Sequence, residues 1–302
     1  MKKFLLLLMV ICTVFSFTSC GDDEKPSKGL KSEKDYPRTV DISSGIKDKN
    51  EEFEYSADFD FDGKKEEVEI EFEFFDEYDW SYYMEVSIGE YKTKIEVEGN
   101  YIEAVYACDI DESDGVRDLV IFTNEMSGDP IVRILKYDSS LPLYNFVNDY
   151  DDTPYGHKWI GYAVNCYFNV NEDDSITMEE QTSSAGMWSV YKTYYRDENG
   201  NFVEKKPEYY DVLPDFMARE YDFIEDMGKE ETEKWKKGYI MAHTDYTSKG
   251  FTLYEGDYFK VLYDDGNNEI YVEKENGEGA WINVDYSMER EKLNRNYFYL
   301  AG

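Results

Sequence analysis

"DFDFDGKKEE" (residues 58–67) is the stretch whose reading decides the fold. Asp58, Asp60 and Asp62 alternate along it, Gly63 stands where the chain has to reverse, and Glu66 follows. Carboxylates at that spacing can converge on one hard cation while the backbone turns around it. The carbonyl of Lys64 and the carboxylate of Glu66 would complete the oxygen cage. On either side, "FEYSAD" and "VEIEFEF" alternate with a period of two, the period of a strand. Val68, Ile70, Phe72 and Phe74 take one face of the second run, and Glu67, Glu69, Glu71 and Glu73 take the other. The stretch therefore reads as strand, acidic loop, strand.

That reading excludes a calcium loop between helices. Counting Glu69, the residues do satisfy the pattern D-x-D-x-D-G followed by Glu. Glu69, however, falls on the polar face of a strand, and the apolar position of such a loop is occupied by Lys65. A second acidic loop follows about fifty residues downstream, at the spacing of a repeating blade unit. It runs Asp109, Ile110, Asp111, Glu112, Ser113, Asp114, Gly115, with Asp118 opening the apolar run "DLVIF". Ser113 replaces a carboxylate and one residue is added before Gly115, so Asp109, Asp111, Ser113, Asp114 and Asp118 form a weaker metal set. The two strand–loop–strand units resemble the calcium loops of FG-GAP repeats, which build integrin-type β-propellers. The resemblance implies a calcium ion held for structural reasons in the first loop, and a degenerate second loop.

Around these loops, from residue 40 to about residue 210, short alternating strands recur without intervening helices. "YIEAVYACD" and "DLVIF" are continuously apolar, as strands covered on both faces are. Asn171-Glu172-Asp173-Asp174 and Asp197-Glu198-Asn199-Gly200 mark turns. "LPDFMAREYDFIEDMGKEETEKWKKG" is the one stretch with helical spacing (Phe216, Met217, Glu220, Tyr221, Ile224), and Pro214 suits a helix start. Beyond it, "FTLYEGDYFKVLYDD", "NEIYVEKENGEGAWINV" and "NYFYLAG" form a compact set of strands. Glu255-Gly256-Asp257, Phe259-Lys260-Val261-Leu262 and Gly277-Glu278-Gly279-Ala280-Trp281-Ile282 resemble the signature of bacterial SH3-like domains. Glu269 and Ala280 depart from it, replacing a Trp and a Gly, which puts in doubt any groove built on that Trp.

The N-terminus reads as a targeting segment. Lys2 and Lys3 precede an apolar run, Phe4 to Phe17, too short to span a membrane as a stable helix, and it ends in Phe17-Thr18-Ser19-Cys20. This resembles a bacterial lipobox, implying cleavage before Cys20, lipidation of its thiol, and an extracytoplasmic, membrane-anchored protein. The polar residues that follow are too hydrophilic for a core and read as a tether.

Composition narrows the partners. The chain has 67 acidic and 32 basic residues, a formal charge of −35. Such a surface repels phosphate backbones, which excludes nucleic acid as a partner, and it attracts cations. Aromatic residues make up 17%, including 29 Tyr, enough apolar area for a core despite the charge. Cys108 and Cys166 either pair as a disulfide outside the cytoplasm or stay as separate buried thiols. His157 and His243 are the only histidines, and no nucleophile elbow, P-loop, Rossmann glycine pattern or HExxH is present.

The expected architecture is all-β. Residues 1–19 are a signal and 20–37 a tether. A reduced β-propeller-like or β-sandwich domain spans 38–210, a short helical linker 211–238, and a small SH3-like barrel 239–302. The expected function is a lipid-anchored binding or scaffold protein, not an enzyme, with a cell-wall or protein ligand. The alternatives are an envelope glycan hydrolase using two carboxylates and an accessory subunit of an envelope complex.

Overall fold

A chain that alternates apolar and charged residues can bury one face only by pairing its strands into sheets. The computed structural model describes residues 37–47, 51–76, 81–98, 100–124, 130–137, 157–159, 166–181, 189–213, 232–234, 236–242 and 245–283. All strand pairings among them are antiparallel. Strand β1 (Thr39–Asp41) leads through a 3-10 turn, Ser43–Gly45, into β2 (Glu52–Ala57), β3 (Glu66–Asp76), β4 (Ser81–Ile88) and β5 (Tyr91–Glu98). Strands β2 to β5 form a meander in which each pairs with the next. Strands β6 (Tyr101–Cys108), β7 (Asp118–Asn124), β8 (Pro130–Leu135) and β9 (His157–Trp159) repeat the pattern, with β1 added along β6. A third four-stranded meander follows in β10 (Phe168–Val170), β11 (Ile176–Gln181), β12 (Ser189–Arg196) and β13 (Phe202–Glu204).

The three meanders stack face to face, and the second is the middle layer. Val105, Ala107, Leu119 and Ile121 pack with Val68, Ile70, Met84, Val86 and Ile88 of the first. Cys108, Val120, Phe122, Val132 and Ile134 pack with Phe168, Ile176, Met178 and Phe202 of the third. Alternate residues of β7 thus serve opposite cores, and Asp118 to Thr123 are all buried. This is the two-sided burial expected from the continuous apolar run, at about 1.5–3 kcal/mol for each large side chain buried. A bulge between Ile102 and Ala104 resets the alternation of β6.

On the outer face of the first meander, Glu54 faces Glu69 and Glu71 faces both Glu52 and Glu85. Like charges directly opposite one another destabilise a sheet. Here Lys47 pairs with Glu54, Lys92 with Glu85, and Lys94 with Glu73 and Glu85. The apolar face of β3 is buried only in part. Val68 and Ile70 are inaccessible to solvent, but Phe74 is exposed, packed on the Tyr82 ring at 5.1 Å.

The C-terminal strands are β14 (Tyr210–Asp211), β15 (Ile240–Met241), β16 (Tyr246–Ser248), β17 (Phe251–Leu253), β18 (Tyr258–Asp264), β19 (Glu269–Lys274) and β20 (Gly279–Asn283). They form a sheet ordered β14-β18-β19-β20, with β15 also on β18 and β16–β17 as a separate hairpin. Their core, including Phe259, Val272 and Ile282, also takes in Val190 of β12. Val190 bridges Val212, and the Leu213 N–H donates to Ser189 O at 2.9 Å, so the third meander and the C-terminal sheet are joined by backbone pairing.

The segment expected to begin a helical linker is thus extended at its start: Asp211 belongs to a strand of the C-terminal sheet. Of the expected helical linker 211–238, residues 214–231 and 235 lie outside the described residues, residues 232–234 form one short helical turn, and residues 236–238 are a turn. The signal, the tether to residue 36, Cys20, His243 and the final "NYFYLAG" also lie outside the described residues. Among the described residues no helix is long and apolar enough to cross a membrane.

Candidate metal centre

Asp58 follows the end of β2, and Glu66 opens β3. The loop between them is anchored from below by Phe59, which is fully buried, packed on the Tyr137 ring at 5.6 Å, and whose carbonyl accepts from the Arg117 N–H at 2.7 Å. Above this anchor the backbone turns tightly, with Phe61 and Gly63 at φ of 54° and 86°. Glycine adopts such angles freely; for phenylalanine they are strained. The Arg117 guanidinium stacks on Phe61 at 5.0 Å.

This turn brings Asp58, Asp60 and Glu66 together, each with a carboxylate oxygen within 4.8 Å of the others. Backbone N–H groups orient all three. Gly63 donates to Asp58 Oδ2 at 3.0 Å, Asp62 to Asp60 Oδ1 at 3.0 Å, and Phe59 to Glu66 Oε2 at 2.7 Å. Asp58 Oδ1 is buried and has no hydrogen-bond partner. Three oriented carboxylates with a buried, unmatched oxygen suit a hard divalent cation.

One of the expected ligands is placed differently. Asp62 turns back on its own loop: its Oδ1 accepts from the Lys64 N–H at 2.8 Å, and its Oδ2 pairs with Lys64 Nζ at 3.0 Å. The metal-competent set is thus Asp58, Asp60 and Glu66, with Asp62 and Lys64 bracing the turn beside it.

The second loop has a different solution. Asp111 Oδ1 accepts from the Ser113 N–H at 3.0 Å and from its hydroxyl at 2.5 Å, while Oδ2 pairs with Arg196 at 2.9 Å. Asp114 pairs with Lys136 at 3.2 Å. Arg38 donates to the carbonyls of Asp109 at 3.1 Å and Asn171 at 2.7 Å, and it pairs with Asp174. The Asp109 carboxyl is buried, which raises its proton affinity, and nearby Arg38 opposes that shift. Asp118 is almost fully buried and accepts from the Tyr137 N–H at 3.2 Å; burial first, and then Asp114, push its carboxyl well above the usual range. Asp111 and Asp114 are thus matched by the protein's own cations, while Asp109 Oδ1 is buried without a hydrogen-bond partner; among the described residues only the first loop gathers three carboxylates.

The two loops are neighbours. Arg117 and Asp118, just past the second, hold Phe59 and Tyr137 beneath the first. Burial, with Glu66 and Asp60 nearby, raises the Tyr137 hydroxyl to about 12.

The Asp111 carboxyl is held at about 2 by the Ser113 hydroxyl first, and then by Arg196. A depressed carboxylate stabilises the fold above its unfolded value near 4, and that stability is lost as the pH falls through 2. Asp111→Asn is therefore expected to cost on the order of 1 kcal/mol at pH 6 and only a small part of that at pH 2. Denaturant melts at the two pH values measure this, and a pH-independent difference would contradict it.

Cys108 and Cys166 are both buried, face the same core and are not joined as a disulfide, and burial raises the Cys108 thiol further. The alternative of a disulfide is not the state of this structure. Arg38, Arg196 and Lys136, decisive for the second loop, carry no local signal in the sequence, since two of them lie many residues away in the chain. No family model, curated protein or solved structure matches this chain.

Proposed function

We propose that the chain is a lipid-anchored, extracytoplasmic binding or scaffold protein, tethered to the membrane through Cys20, with a calcium-braced β-domain that presents loops to a cell-wall or protein ligand. The observation that carries the calcium reading is Asp58, whose Oδ1 is buried and unpartnered and whose carboxylate lies within 4.8 Å of those of Asp60 and Glu66. A buried carboxylate oxygen without a partner costs on the order of 1–3 kcal/mol, and a cation bound there would recover it. The calcium is structural: it would hold the turn above Phe59, where three like charges otherwise repel one another. The succession of four-stranded meanders supports a reduced propeller of FG-GAP type, and the small C-terminal sheet with its own core supports an SH3-like module. The strongly acidic surface supports a partner other than nucleic acid.

Calcium titration of the mature chain by calorimetry, with melting followed in parallel, tests the site. The expected result is one binding event and a rise in stability of about 2.7 kcal/mol at a hundredfold excess over Kd. Asp58→Asn should abolish both, while Asp111→Asn should leave the binding heat intact. No heat and no shift at millimolar calcium would defeat the assignment. Loss of membrane fractionation in Cys20→Ser tests the anchor independently.

A further inference from the structure

The outer face of the C-terminal sheet carries a row of aromatic rings that the core does not use. Asp211, Tyr263, Tyr271 and Trp281 are direct cross-strand partners on β14, β18, β19 and β20. Their face is opposite the one on which Ile270, Val272 and Ile282 are buried. Tyr209, exposed at 46%, closes the group, with its ring 5.0 Å from Tyr263 and 6.3 Å from Trp281. Tyr271 lies 5.7 Å from Tyr263 and 5.8 Å from Trp281. Gly279 makes room for it: a Cβ there would meet the Tyr271 hydroxyl at 2.6 Å and Val272 O at 2.9 Å.

Two features indicate what such a face would bind. Most of the rings are tilted against one another, Tyr271 standing 55° from Tyr263 and 72° from Trp281, and Tyr209 63° from Tyr263 and 59° from Trp281; Tyr263 and Trp281, 31° apart, come nearest to parallel. A sugar chain stacks on coplanar faces, whereas tilted rings present several negative π faces to a single cation, as in aromatic cages for ammonium groups. Elsewhere this chain lays its own lysines over tyrosines: Lys260 over Tyr239 at 4.5 Å, Lys205 over Tyr195 at 5.2 Å, and Lys274 over Tyr254 at 5.3 Å. Among the described residues, no such cation lies over Tyr209, Tyr263, Tyr271 or Trp281. The surroundings are acidic, with exposed Asp211 at the end of the row and Glu269 and Glu273 flanking Tyr271 on β19. Of these, Glu269 is paired with Lys249 and Glu273 stands directly across from Lys260, which leaves Asp211 as the exposed carboxylate of the row.

We propose that this face binds an extended, lysine-bearing peptide segment, seating ammonium groups against Tyr209, Tyr263, Tyr271 and Trp281 and pairing with Asp211. This rests on the binding-protein reading above and names the ligand class of its C-terminal module.

Pentalysine, titrated into the full mature chain at physiological salt and followed by calorimetry and tryptophan emission, is the test, with pentaglutamine and chitohexaose in parallel. Saturable binding of pentalysine alone is expected. Tyr209→Leu and Trp281→Leu should each weaken it about three- to thirtyfold, the range of one cation–π contact. Tyr209→Leu alters a half-exposed ring outside the strands, so an unchanged melt keeps that result interpretable even where Trp281→Leu destabilises. Unchanged affinity in both variants would assign pentalysine binding to net charge and overturn the proposal. Equal binding of pentaglutamine, preferential binding of chitohexaose, or no binding of pentalysine would overturn it as well. Asp58→Asn should leave pentalysine affinity as it is, so failure of the calcium site and failure of the aromatic face are read separately.

Discussion

Phe122→Ala is expected to lower stability by about 4 kcal/mol, the range for emptying a large aromatic site in a packed core. For a domain of this size that is a fall in Tm of roughly 10 °C. Phe122 lies on the middle sheet, inaccessible to solvent, with the Tyr106 ring at 5.9 Å and the Phe168 ring at 6.4 Å. Its neighbours belong to β6 and to the third meander, so the cavity opens between two sheets held in place by their own hydrogen bonds and unable to collapse into it. Phe74→Ala makes the matched comparison. That ring is 45% exposed at the end of β3, and its loss should cost less than about 1 kcal/mol. Denaturant unfolding of both variants measures the contrast. A Phe122→Ala cost below 1 kcal/mol would mean that the second and third meanders do not share a core.

Gly45→Ala is expected to be the next most damaging single change, at about 2–3 kcal/mol from overpacking. Gly45 ends the 3-10 turn between β1 of the middle sheet and β2 of the first meander. The Ile42 N–H fastens this crossing to Val105 O at 2.9 Å, and the Ser43 hydroxyl contacts the same carbonyl at 3.3 Å. An added Cβ would meet Glu54 O at 2.6 Å, the Phe53 ring at 2.8 Å and Tyr55 Cβ at 3.0 Å. Two of these belong to backbone or to the stem of a side chain, so neither can swing away. The turn would have to lift off β2. Thermal melts that show Gly45→Ala within 0.5 kcal/mol of the native chain would contradict this packing. Gly63→Ala has a different cause, since its position is open and only its φ of 86° opposes a side chain.

Much of the all-β organisation was legible before any coordinates. The alternation in "VEIEFEF" specified a half-buried strand, and the unbroken apolar run of β7 specified one covered on both faces. Each follows from the two-residue period of a strand, which assigns every side chain to a face once the strand exists. The same local logic made "DFDFDGKKEE" a loop between strands and excluded a helical calcium hand. It was less successful at ends and boundaries. Phe74 has the alternation of a buried residue, yet β3 runs on past its shelter. Asp211 reads as the start of a linker, yet it pairs with Tyr263 across the C-terminal sheet. The third meander's matching loop, Asn171-Glu172-Asp173-Asp174 between β10 and β11, is acidic too, but without the D-x-D-x-D-G spacing it reads only as a turn.

Local pattern determined where the strands are, which faces they bury, and that the two acidic loops lie between strands. Which carboxylates of those loops come together was decided only by the tertiary structure. Asp58, Asp60 and Glu66 converge because Phe59 is pinned under Tyr137 and Arg117, and Asp62 is drawn away by the neighbouring Lys64. Asp111 is matched by Arg196, from another sheet, and Asp114 by Lys136. Spacing in the sequence sets which carboxylates can meet, but the charge that faces them arrives from strands far away along the chain, and Coulomb attraction depends on that distance in space.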